Sequence, residues 1–126
     1  MEFYIPFQTD GLVLVAKDDG LIGFIACQAC ADALHIWELA VVRERQGHGV
    51  GRDLMAATIR LARGRSLPAI TLSTFRHIAW NAPFHARLGF SEVKSADLNP
   101  RLATIAVREA ALGLDVVARC AMRLIV

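Results

Sequence analysis

The residues best suited to chemistry lie in one stretch, Gln46-Gly47-His48-Gly49-Val50-Gly51-Arg52, between an apolar run and an amphipathic one. Alternating glycines let a backbone approach a ligand closely and adopt positive φ. A helix opening behind them offers unpaired N–H groups and the positive end of its dipole. That combination suits a phosphate. No Gly-Lys-Ser/Thr follows, so the P-loop pattern is absent. Gly47, Gly49 and Gly51 give G-x-G-x-G with Arg52 next, which is not the dinucleotide fingerprint. His48 either touches such a phosphate or stands in solvent. Glu38 is a second candidate, a carboxylate inside the apolar run that leads to the loop. Cys27-x-x-Cys30 is a lone pair followed by a strand rather than a helix. A zinc site would need two more ligands, with His35 and Cys120 the only obvious recruits, so no metal is expected. Arg76 and His77 are candidates for lining a binding site or for a surface turn. Arg43, Arg45 and Arg52 are candidates for meeting phosphates.

These residues need elements to hold them. Residues 11–16 and 21–27 are apolar runs around Lys17-Asp18-Asp19-Gly20 and predict a hairpin. Residues 34–42 predict a strand with His35, Trp37, Leu39 and Val41 on one face and Ile36, Glu38, Ala40 and Val42 on the other. Glu38 would then sit among small and branched apolar side chains. Val50, Leu54, Ala57, Thr58 and Leu61 recur at helical spacing and predict a helix over about 49–63, ended by Gly64. Residues 69–75 are β-branched and follow Pro68. Residues 80–88 predict a short helix, 90–93 a short strand, and Asn99-Pro100 the N-cap and first residue of another helix. Leu102, Ile105, Ala106, Glu109 and Leu112 mark that helix, and 117–126 the last strand. The order implies a mixed sheet with helices, α/β or α+β. Trp37 and Trp80 are expected as core or interface anchors.

The chain has 126 residues, which is the size of one domain, expected to run over 1–126. Fourteen basic against twelve acidic residues leave a formal charge of +2. That is too small to argue for nucleic acid or an anionic membrane as partner. A 55% hydrophobic fraction excludes disorder as the main state and suggests apolar surface covered by a partner subunit. No apolar run approaches the roughly 18 residues of a membrane span. MEFYIPFQTD has no basic region ahead of an apolar stretch, so no signal peptide is expected. Three cysteines at low density make no disulfide scaffold, and a reducing cytoplasm is the expected compartment.

The chain resembles the GCN5-related N-acetyltransferase (GNAT) superfamily. That family's acetyl-CoA motif, Arg/Gln-x-x-Gly-x-Gly/Ala after a strand and opening a helix, is matched by Gln46, Gly49 and Gly51. A strand over 69–75 and a short helix ending in Leu88-Gly89-Phe90 stand where the family commonly has Tyr-x-x-x-Gly-Phe. The resemblance covers roughly residues 11–126. It implies a mostly antiparallel mixed sheet with splayed central strands and flanking helices. It also implies acetyl-CoA as cosubstrate. The backbone of Leu39, Ala40 and Val41 would pair with the pantetheine arm, and the N–H groups from Gly47 through His48, Gly49, Val50 and Gly51 to Arg52 would hold the pyrophosphate. An N–H near Val41 would polarise the thioester carbonyl. Glu38 would be the general base for an acceptor amine, whose pKa of about 10 keeps it protonated at neutral pH. The alternative is a carboxylate that organises polar neighbours.

Three departures stand out. His85 occupies the position of the family's usual Tyr general acid. An imidazolium there can donate a proton, or the side chain simply packs. Counting back without gaps puts Ile78, not Asn81, where the family often has Asn. The usual first strand and first two helices, which wall the acceptor site, are not seen ahead of the hairpin. A shortened form or a partner subunit would account for that, and a homodimer is expected. The resemblance thus implies an N-acetyltransferase acting on an amine-bearing small molecule or a protein N-terminus. Two other readings stand beside it: a catalytically silent module that binds CoA or a partner, and a phosphate-loop nucleotide binder.

Overall fold

Short apolar runs separated by turn residues build the first strands of the chain. The computed structural model describes residues 2–4, 11–114 and 118–126. Strands β2 (Gly11–Lys17) and β3 (Leu21–Ala29) form the expected hairpin. Its turn puts Asp19 at φ 55° and Gly20 at φ 110°. Arg45 closes onto this turn through a 2.8 Å ion pair with Asp18, holding that carboxyl below its usual range. Strand β1 (Glu2–Tyr4) pairs antiparallel with β2, Phe3 opposite Ala16. Its three residues are too few to show any periodicity.

Strand β4 (Leu34–Val41) pairs antiparallel with β3, so β1 to β4 form a meander. Helix α1 (Val50–Gly64) buries Val50, Leu54, Met55, Ala57, Thr58 and Ala62. The apolar face expected from the spacing is the face that packs, widened by Met55 and Ala62, with Leu61 only half-buried at its edge. A Cβ on Gly23 would lie 2.9 Å from the Ala40 carbonyl oxygen and 3.2 Å from Leu54. The missing side chain therefore sets how closely α1 sits on β3 and β4.

The chain divides into two compact units, residues 1–70 with 126, and residues 71–125. The meander and α1 make the first. Strand β5 (Ala69–Phe75) leads into the second, which holds α2 (Ala82–Arg87), β6 (Ser91–Val93), α3 (Pro100–Ala111) and β7 (Arg119–Ile125). Strand order there is β5-β7-β6, with β6 and β7 antiparallel. Asn99 caps α3 as its sequence predicts: its side-chain oxygen accepts from the Leu102 N–H at 2.9 Å. Leu102 and Ile105 are buried, but Leu112 falls past the last turn and is exposed. Residue 117, where the last strand was expected to start, lies outside the described residues. Among the described residues no helix is long and apolar enough to cross a membrane.

Candidate functional site

The alternation expected for β4 breaks at Trp37. Ile36 pairs with Cys27 and Glu38 with Ala26, so Trp37 has no partner in the register. This is a β-bulge, and it moves every later side chain to the opposite face. Glu38 consequently shares a face with His35 and Ala40, not with Ile36. Ile36, Leu39 and Val41 share the face of Cys27, Ile25 and Gly23, where Val50 and Leu54 of α1 pack. Glu38 is exposed rather than set among branched apolar side chains. Trp37 is not a core anchor either. It is 53% exposed, with its indole N–H donating to Gln28 at 3.1 Å and its ring edge on His35.

After β4 the chain makes a single 3-10 turn, Arg43–Arg45, and then enters the glycine loop. Gln46 reaches back, its Nε2 donating to the Val41 carbonyl at 3.1 Å. Two candidate residues are thereby joined, and the end of β4 is tied to the loop. Gly47 and Gly49 take φ 79° and 86°, the left-handed region that glycine adopts without strain. Gly49 is the N-cap of α1, and the first helical bond runs from the Asp53 N–H to its carbonyl at 2.9 Å. Val50, Gly51 and Arg52 make up the turn before that bond, where N–H groups have no helical acceptor. The Arg52 guanidinium folds back to the loop: a Cβ on Gly49 would be 3.0 Å from it. Exposed His48 stands between the two left-handed glycines. A positive-φ glycine loop at a helix start, with a guanidinium beside it, fits a phosphate group.

In the second unit, Asn81 precedes α2 and accepts a hydrogen bond from the Thr74 hydroxyl at 3.0 Å. His85 is 6% exposed, its ring 5.1 Å from Phe84 and 5.5 Å from Phe90 in edge contacts. Its Nδ1 is buried without a hydrogen-bond partner. Burial drives its pKa down to about 4. The imidazolium expected at this position is therefore not the form held at neutral pH, because an apolar site penalises the charge. Trp80, close by in sequence, is exposed rather than core.

A further cluster joins Arg76 and Glu109, which the sequence singled out separately, to partners it did not. Glu109 of α3 accepts from the Ser73 hydroxyl on one oxygen and from Arg119 Nε, at 2.6 Å, on the other. Arg119 also donates to the Ser73 carbonyl at 3.3 Å and lies 4.6 Å over the Phe75 ring. Arg76 pairs with Glu92. These side chains come from β5 and the residue after it, β6, β7 and α3, and only tertiary packing brings them together.

A family model described as the acetyltransferase (GNAT) family matches residues 2–90. Solved structures share the fold. A Bacillus anthracis str. Ames protein in complex with acetyl coenzyme A superposes with a TM-score of 0.73 at 18% identity, covering 94% of this chain and 64% of that one. The PaiA N-acetyltransferase of Thermoplasma acidophilum, in complex with coenzyme A, gives 0.68 at 19%, covering 93% and 62%. The ribosomal-protein-S18-alanine N-acetyltransferase of Escherichia coli gives 0.70 at 16%, covering 94% and 71%. The chain thus spans less than two-thirds of the length of the first two.

Proposed function

Because the chain belongs to the acetyltransferase (GNAT) family, we propose that it transfers the acetyl group of acetyl-CoA to a primary amine, by direct attack in a ternary complex. The acceptor is an amine-bearing small molecule or a protein N-terminus. One observation carries the reading: the bulged strand, left-handed glycine loop and helix start over residues 34–64, inside the segment that the family model matches. The N–H groups from Gly47 to Arg52 receive the pyrophosphate, and Arg52 adds a cation beside them. The backbone of Leu39, Ala40 and Val41 pairs with the pantetheine arm. Gln46 holds the Val41 peptide in place for this. A peptide N–H near Val41 stabilises the oxyanion that forms as the amine nitrogen bonds to the carbonyl carbon. Glu38, exposed on β4, takes the ammonium proton before attack. The C–S bond then breaks, and the departing thiolate takes up the second proton that the nitrogen sheds as the amide forms. His85 is neutral at pH 7, so what it can give a leaving thiolate is a hydrogen bond from its protonated ring nitrogen rather than a full proton.

The neutral His85 also favours a second reading, a module that binds CoA without turnover. Exposed Trp37, Leu21 and Val42 support a homodimer, and the low density of cysteines, three in 126 residues, supports a cytoplasmic site. Light scattering that gives a monomer at micromolar concentration would rule out the dimer. The main test is calorimetric titration with acetyl-CoA, with CoA and ATP as controls. Saturable acetyl-CoA binding, weakened in Gly49→Val, supports the family chemistry, and preference for ATP overturns it. An amine panel on wild type and Glu38→Gln then separates the two readings. Turnover that falls on Glu38→Gln supports the enzyme, and binding without turnover supports the silent module.

A further inference from the structure

Beneath α3, the second unit has a partly open cavity of about 130 Å3. Leu98, Leu102, Ile105 and Leu114 make its aliphatic side. Its polar side carries two ion pairs, Arg119–Glu109 and Arg76–Glu92. The first is the more enclosed, its side chains 20% and 13% exposed. Two cations and two anions sum to zero. A lone cation or lone anion gains little, because each attractive group has an opposite partner beside it. A molecule that bears both charges can meet both kinds of group. The inner pair keeps capacity for this. Glu109 accepts one hydrogen bond on each oxygen, and a carboxylate has about four acceptor sites. Arg119 spends Nε on Glu109 and one terminal nitrogen on the Ser73 carbonyl, of about five N–H donors.

These groups are also held before any ligand arrives. Ser73 fixes Glu109, and Phe75 supports the Arg119 guanidinium. Preorganised polar groups lose little freedom on binding. The volume is well under the roughly 300–1,000 Å3 of pockets for drug-sized ligands. The ligand must be small and, facing Leu102 and Ile105, partly aliphatic.

We propose that this cavity binds a small zwitterion, an aliphatic α-amino acid. Its carboxylate meets Arg119 and Arg76, its ammonium meets Glu109, and its side chain lies against Leu102 and Ile105. This goes beyond acyl transfer and needs no acetyl-CoA. The test is isothermal titration of the full chain with L-alanine, L-valine and L-leucine. Isoamylamine and isocaproate, which are leucine without its carboxylate or without its ammonium, are the controls. At least one amino acid should bind saturably, and both controls should bind roughly tenfold weaker or not at all, the loss expected when a charged hydrogen bond goes unmade. Ala106→Leu fills the cavity and removes no hydrogen bond, so it should abolish binding. Arg76→Gln changes a rim residue and should weaken binding roughly tenfold while the thermal midpoint holds. Three results would overturn the proposal: no saturable binding by any of the three amino acids at about 10 mM, controls that bind equally well, or wild-type affinity in both variants.

Discussion

His85 makes the stability of this protein depend on pH in a way that one substitution should remove. The ring lies against Phe84 and Phe90, 6% exposed, with Nδ1 unpaired, and burial lowers its pKa to about 4. In the unfolded chain it returns to about 6.5. Between those values the unfolded state binds the proton and the native state does not. A depressed native pKa therefore leaves stability intact above about pH 7 and erodes it as pH falls toward 4. The linkage relation gives a loss of about 2 kcal/mol from pH 7 to pH 5, rising to about 3 kcal/mol below pH 4. His85→Phe keeps an aromatic ring in the site and removes the titration. At pH 7 it should be as stable as wild type or slightly more so, since it also removes an orphaned nitrogen whose burial costs about 1–3 kcal/mol. Urea unfolding followed by far-ultraviolet circular dichroism, at several values from pH 7.5 to 5, measures both proteins. Subtracting one from the other cancels the carboxylates common to both. A difference that stays flat within about 0.5 kcal/mol across that range would show that the imidazole is solvated or hydrogen-bonded, and the burial argument would fail.

Three other changes probe packing. Gly23→Ala drives a methyl to 2.9 Å from the Ala40 carbonyl oxygen, which is backbone and cannot swing away. Overpacking should cost about 1–3 kcal/mol in denaturant unfolding, and a cost near zero would mean that α1 sits looser on β3 than described. Gly49→Ala forces a side chain into φ 86° and displaces the Arg52 guanidinium. It should lose about 1–2 kcal/mol of stability, and a stabilising effect would contradict the left-handed N-cap. Glu109→Ala leaves Arg119 largely buried without its partner. Because the pair keeps some solvent contact, the cost should be about 2–4 kcal/mol, below the upper range for sealed pairs. Arg119→Met in the same chain should recover part of it, and strictly additive losses would refute the pairing.

Much of the site could be read without coordinates because its determinants are local. The helix from Val50 follows from apolar residues at helical spacing, and its bounds shift by a residue at each end. Strand β5 follows from a β-branched run after Pro68, and the α3 cap from Asn99-Pro100. The glycine loop is also local: positions 47 and 49 demand a residue that tolerates positive φ, and glycine stands at both. Strand β1 leaves no signal in the sequence because three residues carry no period.

What tertiary structure alone decided depends on partners far away in sequence. The bulge at Trp37 exists because Cys27 pairs with Ile36 and Ala26 with Glu38, and strict alternation along β4 cannot reveal a slip imposed by β3. That slip moved Glu38 off the face packed against α1. The charge of His85 likewise depends on the rings around it, not on its own type, since only burial separates a pKa of about 4 from the ordinary value. The Ser73–Glu109–Arg119 cluster joins residues up to 46 positions apart. Helical spacing put Glu109 on the right face of α3, but it could not say that a serine and an arginine wait there. Local patterning chooses elements because helix hydrogen bonds close within a few residues and strand side chains alternate along the chain itself. Register, protonation and ion pairing are set where separate elements meet.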